Sequence, residues 1–154
     1  MTIGIIGQGY VGTAIKLGFQ EHYNIETYDK FDLAKSTRST IKDIVDKTEV
    51  IFVCVPTPMR KDGTCYTGIV EEVIREINET ADDHIIVIKS TIPPGTTDRI
   101  NQEYTHSTVI FNPEFLTEAN FLEDFRNQKR IILGGDRKGT NKLRQIYSKV
   151  FPHA

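Results

Sequence analysis

Two acids four residues apart, Glu114 and Glu118, follow an apolar run in the stretch STVIFNPEFLTEANF. Acids just past the end of a strand stand where open α/β sheets hold their ligands, and burial there raises a carboxylate's pKa towards that of a general base. Glu118 also reads as an ordinary first-turn acid favoured by the helix dipole, so spacing alone leaves both readings open. A second set is the glycine pattern Gly7, Gly9 and Gly12 in GQGYVG. It leaves the strand-like run TIGIIG and opens a helical pattern, the context in which a G-x-G-x-x-G loop holds a pyrophosphate. Gly7 permits the tight turn, Gly9 keeps a Cβ out of the phosphate's way, and Gly12 lets helix pack on strand. Tyr10 and Val11 open the helix whose free N–H groups face the phosphates. Asp29 ends the next strand-like run, where a carboxylate accepts hydrogen bonds from ribose hydroxyls and repels a 2′-phosphate. NAD is therefore expected over NADP, and the adjacent Lys30 weakens that preference. The bland alternative is a glycine-rich turn and a surface acid with no ligand.

Strands and helices must place these side chains, and their patterns alternate along the chain. TIGIIG, NIETYD, EVIFVCV, HIIVIKS, STVIF and RIILGG read as six strands. Helical faces are marked by Val11, Ile15 and Phe19, by Ile69, Val70, Val73, Ile74 and Ile77, and by Leu143, Ile146, Tyr147 and Val150. Such alternation predicts an α/β, Rossmann-type, doubly wound and mainly parallel sheet of six strands with helices on both faces, in the order 3-2-1-4-5-6. The loops after the third, fourth and fifth strands then share the carboxyl edge with the glycine loop. That edge receives Pro56 and Thr57 from VPTP, Thr91 from KSTIPPGTT, and Glu114 and Glu118. VPTP is stiff because proline fixes φ, and as a stiff strand exit it needs no ligand. Thr96 reads as a helix cap.

The bulk properties narrow the class. The 154 residues suit a single domain spanning 1–154. A net charge of −2 gives no reason to expect a nucleic-acid surface. The apolar runs VIFVCV and IIVI fall far short of the roughly 20 residues of a membrane helix, and MTIGIIGQG lacks a signal-peptide pattern. Two cysteines make no disulfide framework, so a reducing cytoplasm is expected. Cys54 lies in an apolar strand and Cys65 in a loop without a nearby His to activate it. No metal site is expected.

GQGYVG, VPTP, KSTIPPGTT, NPEFLTEANF and RIILGG, in that order, resemble the UDP-glucose/GDP-mannose dehydrogenase family, along essentially the whole chain but only over that family's N-terminal, NAD-binding domain. The resemblance implies oxidation of a nucleotide sugar's primary alcohol to a carboxylate in two NAD-dependent steps. It implies that Gly7, Gly9, Tyr10, Val11, Gly12, Asp29, Lys30, Pro56, Thr57, Thr91 and Glu118 bind the cofactor. It further implies Glu114 near nicotinamide and substrate, Thr91 near the catalytic water, and Glu118 as an acid/base for thioester hydrolysis. The family's catalytic cysteine and lysine, its central helix and its C-terminal substrate domain are expected to be absent from this chain. Thr117, Tyr66 and Gln128 depart from residues frequent in the family. Three functions stay open: a dehydrogenase half completed by a second chain, a stand-alone NAD(H)-binding module, and a small two-electron reductase.

Overall fold

The computed structural model describes residues 1–80 and 83–154. Five short strands, β1 (Thr2–Ile6), β2 (Asn24–Tyr28), β3 (Val50–Val53), β4 (Ile85–Ile88) and β5 (Thr108–Phe111), form one parallel sheet. β3 and β4 are buried on both faces, as uninterrupted apolar β-branched runs such as IIVI require. The helices are α1 (Tyr10–Phe19), α2 (Ile41–Val45), α3 (Gly68–Thr80), α4 (Thr96–Glu103), α5 (Phe121–Arg126) and α6 (Arg137–Val150). The two-residue period of a strand splits the core into two layers. Ile3, Ile5, Val50, Phe52 and Val87 pack with α1, α5 and α6, while Ile6, Ile51, Val53, Ile86 and Ile88 pack with α2, α3 and α4. The first layer is aromatic at its centre, with Phe19 in contact with Phe52, Phe125 and Tyr147 at ring separations of 5.7, 6.1 and 5.3 Å. Tyr147 is thus buried against the domain's own sheet.

Doubly wound parallel architecture is as expected; the strand count and order are not. The order is β2-β1-β3-β4-β5. Between β2 and β3 the chain makes only a 3-10 turn (Leu33–Lys35) and the short α2, then returns beside β1 instead of adding a strand outside β2. RIILGG is not a sixth strand. Its backbone pairs with β5 through an isolated antiparallel bridge between Phe111 and Gly134, with N–H to C=O distances of 2.8 Å in both directions. The reason lies on the outer edge of β5. The Asn101 side chain, from α4, takes both backbone groups of Val109, donating to its C=O and accepting from its N–H at 2.9 Å each. That leaves Phe111 for Gly134, so the edge accepts a single bridge from RIILGG and not a paired strand. The β2 edge is closed in the same way. Thr27 C=O accepts from the N–H groups of Thr37 and Arg38, and Thr27 N–H donates to Thr37 Oγ1. Such closure blunts an edge against pairing with another chain. Helix α4 also corrects an expectation. Its N-cap is Gly95 at φ +85°, with no side-chain cap, and Thr96 is the buried first residue of the helix.

Candidate cofactor and catalytic site

Parallel pairing continues one residue past the strands and aligns four loops. Gly7 N–H donates to Tyr28 C=O, Cys54 to Ile6, Lys89 to Val53 and Asn112 to Ile88, at 2.8–3.0 Å. Residues that begin the loops after β1, β3, β4 and β5 therefore stand side by side at the carboxyl edge. The winding reverses between β1 and β3, which is where such sheets open a ligand crevice.

Each glycine of GQGYVG has a distinct geometry. Gly7 has φ +93°, and a Cβ on it would lie 2.7 Å from the Cys54 carbonyl oxygen. A Cβ on Gly12 would lie 1.9 Å from the Gly7 carbonyl oxygen, so only glycine lets α1 sit against the loop. Gly9 is the N-cap of α1 without any side-chain cap, and a Cβ on it would meet nothing within 4 Å. Its surroundings are open space in front of the first-turn N–H groups. An anion fits there: partial positive charge, uncapped donors and no obstructing side chain coincide. Asp29 is drawn into the same construction. Its Oδ2 accepts from Gln8 N–H at 2.7 Å, and its Oδ1 accepts from Phe31 and Asp32 N–H at 2.9 and 3.0 Å. An ionised carboxylate has about four acceptor sites, so one remains for a ligand hydroxyl. Asp29, Lys30, Gly7 and Pro56 line a cleft of about 220 Å³ together with the almost fully exposed Phe31.

A second cleft, of about 280 Å³, shares Val55 and Pro56 with the first. It brings together Val11, Thr57, Thr91 and Glu114. Tyr10 instead meets Phe121 edge-on at 5.4 Å, joining α1 to the start of α5. Glu118 is exposed at the first residue of a 3-10 turn (Glu118–Asn120) and does not line this cleft. A further groove of about 420 Å³ beside α6, between Leu133 and Phe151, contains none of the expected site residues.

Beneath the second cleft lies a buried polar cluster. Lys89 Nζ is 2.8 Å from Glu114 Oε2, and the two side chains are 3 % and 10 % exposed. The contact is an ion pair without hydrogen-bond alignment, since Oε2 is buried and accepts no aligned bond. Glu114 Oε1 accepts from Phe115 N–H at 3.0 Å. Lys89 Nζ also donates to Asn112 Oδ1 at 3.0 Å, which accepts a second bond from the Tyr147 hydroxyl at 2.5 Å. Asn112 Nδ2 donates to Ile132 C=O at 2.8 Å. Burial, reinforced by the charge of Glu114 and by Cys54, holds the Tyr147 hydroxyl well above its ordinary pKa, so it stays a donor.

The profile of the UDP-glucose/GDP-mannose dehydrogenase family, NAD binding domain, matches residues 26–151. The chain belongs to that family. It is similar to the UDP-glucose 6-dehydrogenase of Streptococcus pneumoniae, at 31 % identity over 88 % of this chain and 41 % of that protein. Among solved structures it resembles a UDP-glucose dehydrogenase from Pyrobaculum islandicum, with a TM-score of 0.86 and 27 % identity over 97 % of this chain and 44 % of the other. It also resembles a GDP-mannose dehydrogenase from Pseudomonas aeruginosa, with a TM-score of 0.83 and 25 % identity over the same 97 % and 44 %. The chain thus spans less than half the length of these dehydrogenases, and the half it spans is the NAD-binding domain.

In this NAD-binding domain the sequence pattern placed Tyr147 on a helical face but did not reveal the bonds that join Lys89, Asn112 and the Tyr147 hydroxyl. A signal was present: Lys89 continues directly from the fully buried run IIVI, where a solvated lysine has no room. Cys54 lines the second cleft, yet burial pushes its thiol up to about 12; nearby Lys89 pulls it down and Glu114 pushes it up. The thiolate is the reactive form, so Cys54 is expected to stay unalkylated by iodoacetamide at pH 7–8 in the folded chain. Peptide mass spectrometry checks this. Cys65 should carry the label, Cys54 should acquire it only after denaturation or at far higher pH, and rapid labelling of folded Cys54 would refute its inert assignment. Among the described residues no group of three His, Cys, Asp or Glu side chains is placed to hold a metal ion, and no helix is long and apolar enough to cross a membrane.

Proposed function

We propose that this chain is the cofactor half of a nucleotide-sugar 6-dehydrogenase, and that a second polypeptide segment supplies the substrate domain and the thiol that carries the acyl group. The observation that supports it is the convergence of the GQGYVG loop and the buried carboxylate of Glu114 on one sheet edge, in clefts that share Val55 and Pro56. When bound, NAD supplies the hydride acceptor for the sugar's alcohol carbon. The glycine loop and the N-terminus of α1 hold the pyrophosphate. Asp29 takes a ribose hydroxyl with its remaining acceptor site, and Lys30 flanks it. Thr57 and Thr91 offer hydroxyls along the second cleft, Thr91 towards the attacking water. Glu114 orients the reacting end of that cleft. Glu118 acts as the acid/base for the hydrolytic step once the substrate domain covers it. Two unpaired cysteines suit a reducing cytoplasm.

The test is cofactor binding followed by turnover. The folded chain should quench or enhance NADH fluorescence saturably. With NAD and UDP- or GDP-sugars it should form no NADH alone, and should form it when the substrate domain of a relative is added in trans. A folded chain that binds no NAD(H) sinks the reading. Turnover by the chain alone overturns the assignment of the thiol to another segment.

A further inference from the structure

Lys89 is a charged group at the inner wall of the second cleft with only 3 % of its side chain exposed. Burying an ion pair costs desolvation that Coulomb attraction barely repays, and apolar replacements of similar volume are often as stable or more so. Stability alone is therefore a weak reason for Lys89 and Glu114 to be there. The structure nonetheless fixes Lys89 firmly. Asn112 Oδ1 holds it from behind, the Tyr147 hydroxyl of α6 holds Asn112, and Asn112 donates to Ile132 C=O. The remaining groups against the pair, the Cys54 thiol and the Tyr147 hydroxyl, are both kept neutral by burial. The inner end of the cleft thus carries one positive and one negative charge, and sums to zero.

We infer that Lys89 sets the redox-state preference of this domain: by cancelling the charge of Glu114, it makes the nicotinamide end of the cleft nearly indifferent to whether the ring is oxidised or reduced. The inference rests on the cofactor reading above, with the nicotinamide in the Val11–Thr57–Glu114 cleft. Oxidised and reduced dinucleotide differ there by the positive charge of the oxidised ring, and they share the adenosine and pyrophosphate held by the glycine loop. A cleft with net charge of either sign would favour one form. In a dehydrogenase that takes two equivalents of NAD per sugar, a neutral cleft avoids trapping either form between the steps. Lys89 is a positioning and charge-balancing residue, with Asn112 and Tyr147 holding it in place.

The test measures dissociation constants for NADH, by fluorescence titration, and for NAD⁺, by competition. It uses the wild-type chain, Lys89→Met, Glu114→Gln and the double variant, each checked for folding by circular dichroism. Lys89→Met leaves a net negative cleft and should move the preference towards NAD⁺ on the order of tenfold at low salt. Glu114→Gln leaves a net positive cleft and should move it towards NADH by a similar factor. The double variant should return to the wild-type ratio. A purely structural role predicts something else, namely that both cofactors weaken together in every variant, and that result overturns the inference. Should Lys89→Met fail to fold, Glu114→Gln and the double variant decide it, because a shift in one and its cancellation in the other are both required. A wild-type chain that binds both cofactors, with ratios unmoved by the variants, overturns this inference alone. A wild-type chain that binds neither removes the cofactor reading and the inference with it.

Discussion

Gly12→Ala is expected to be among the most damaging single substitutions in the chain. The added Cβ would lie 1.9 Å from the Gly7 carbonyl oxygen, and 3.0 Å from its carbon, so backbone must move away from backbone. No flexible side chain can yield instead. Overpacking costs about 1–3 kcal/mol where side chains can shift, and this site belongs at or beyond the top of that range. For a chain of this length about 3 kcal/mol corresponds to roughly 6–12 °C in Tm. NADH binding should vanish with it, since α1 and its N–H groups are displaced. Gly9→Ala is the informative companion. Gly9 has φ −72°, which alanine tolerates, and its Cβ would meet nothing within 4 Å. Loss of glycine at this N-cap should cost no more than about 1 kcal/mol. The methyl group would nevertheless stand where the pyrophosphate approaches, so NADH affinity should fall on the order of tenfold or more with Tm nearly unchanged. Differential scanning calorimetry and NADH titration on the two variants separate a folding role from a ligand role. Wild-type NADH affinity in Gly9→Ala would remove the pyrophosphate from this loop.

How much of this was legible in the sequence depends on how local each signal is. The glycine loop was legible because its spacing encodes steric facts within a few residues: a positive φ at Gly7 and a contact at Gly12 that no Cβ survives. The placement of Thr57, Thr91 and Glu114 at one edge was legible too, because parallel strands leave all their exits on one side. Strand order was not, because the alternation of strands and helices along the chain does not record whether β3 returns beside β1 or outside β2. The sixth strand was misread for a related reason. RIIL has the composition of a strand, but Val109 on the outer edge of β5 is already bonded to the side chain of Asn101, 8 residues earlier in the chain, which leaves Phe111 to bridge Gly134. Lys89 was read past because lysine is ordinarily a surface residue. Its burial depends on Asn112 and Glu114 from the loop after β5 and, through Asn112, on Tyr147 of α6, which no local pattern reveals. Glu118 has the spacing of a site residue, but it is exposed and lies outside the lining of the second cleft.

Asp29→Asn should cost more than its near-identical shape suggests. The carboxylate accepts on both oxygens: from Gln8 N–H on one, from Phe31 and Asp32 N–H on the other. An amide offers one accepting oxygen and one donating nitrogen, so whichever way it turns, an NH₂ group faces an N–H donor. If the nitrogen faces Gln8, the glycine loop loses its tie to the end of β2. If it faces Phe31 and Asp32, the turn after β2 loosens instead. Charge-assisted bonds of this kind are worth about 1.5–3 kcal/mol each, and the half-buried setting of Asp29 lets water recover part of the loss. A net destabilisation of about 2 kcal/mol is expected, together with a drop in NADH affinity on the order of tenfold. Asp29→Ala distinguishes the two jobs assigned to this residue. It removes the acceptor without introducing a misplaced donor, so the loop relaxes towards water while the 2′-phosphate repulsion disappears. If Asp29 selects between dinucleotides, the ratio of NADPH to NADH affinity should rise in both variants, and more clearly in Asp29→Ala. If it only anchors the Gln8 loop, both affinities should fall in parallel and the ratio should hold. Parallel titrations with NADH and NADPH therefore decide whether this carboxylate reads the ribose or merely anchors the Gln8 loop.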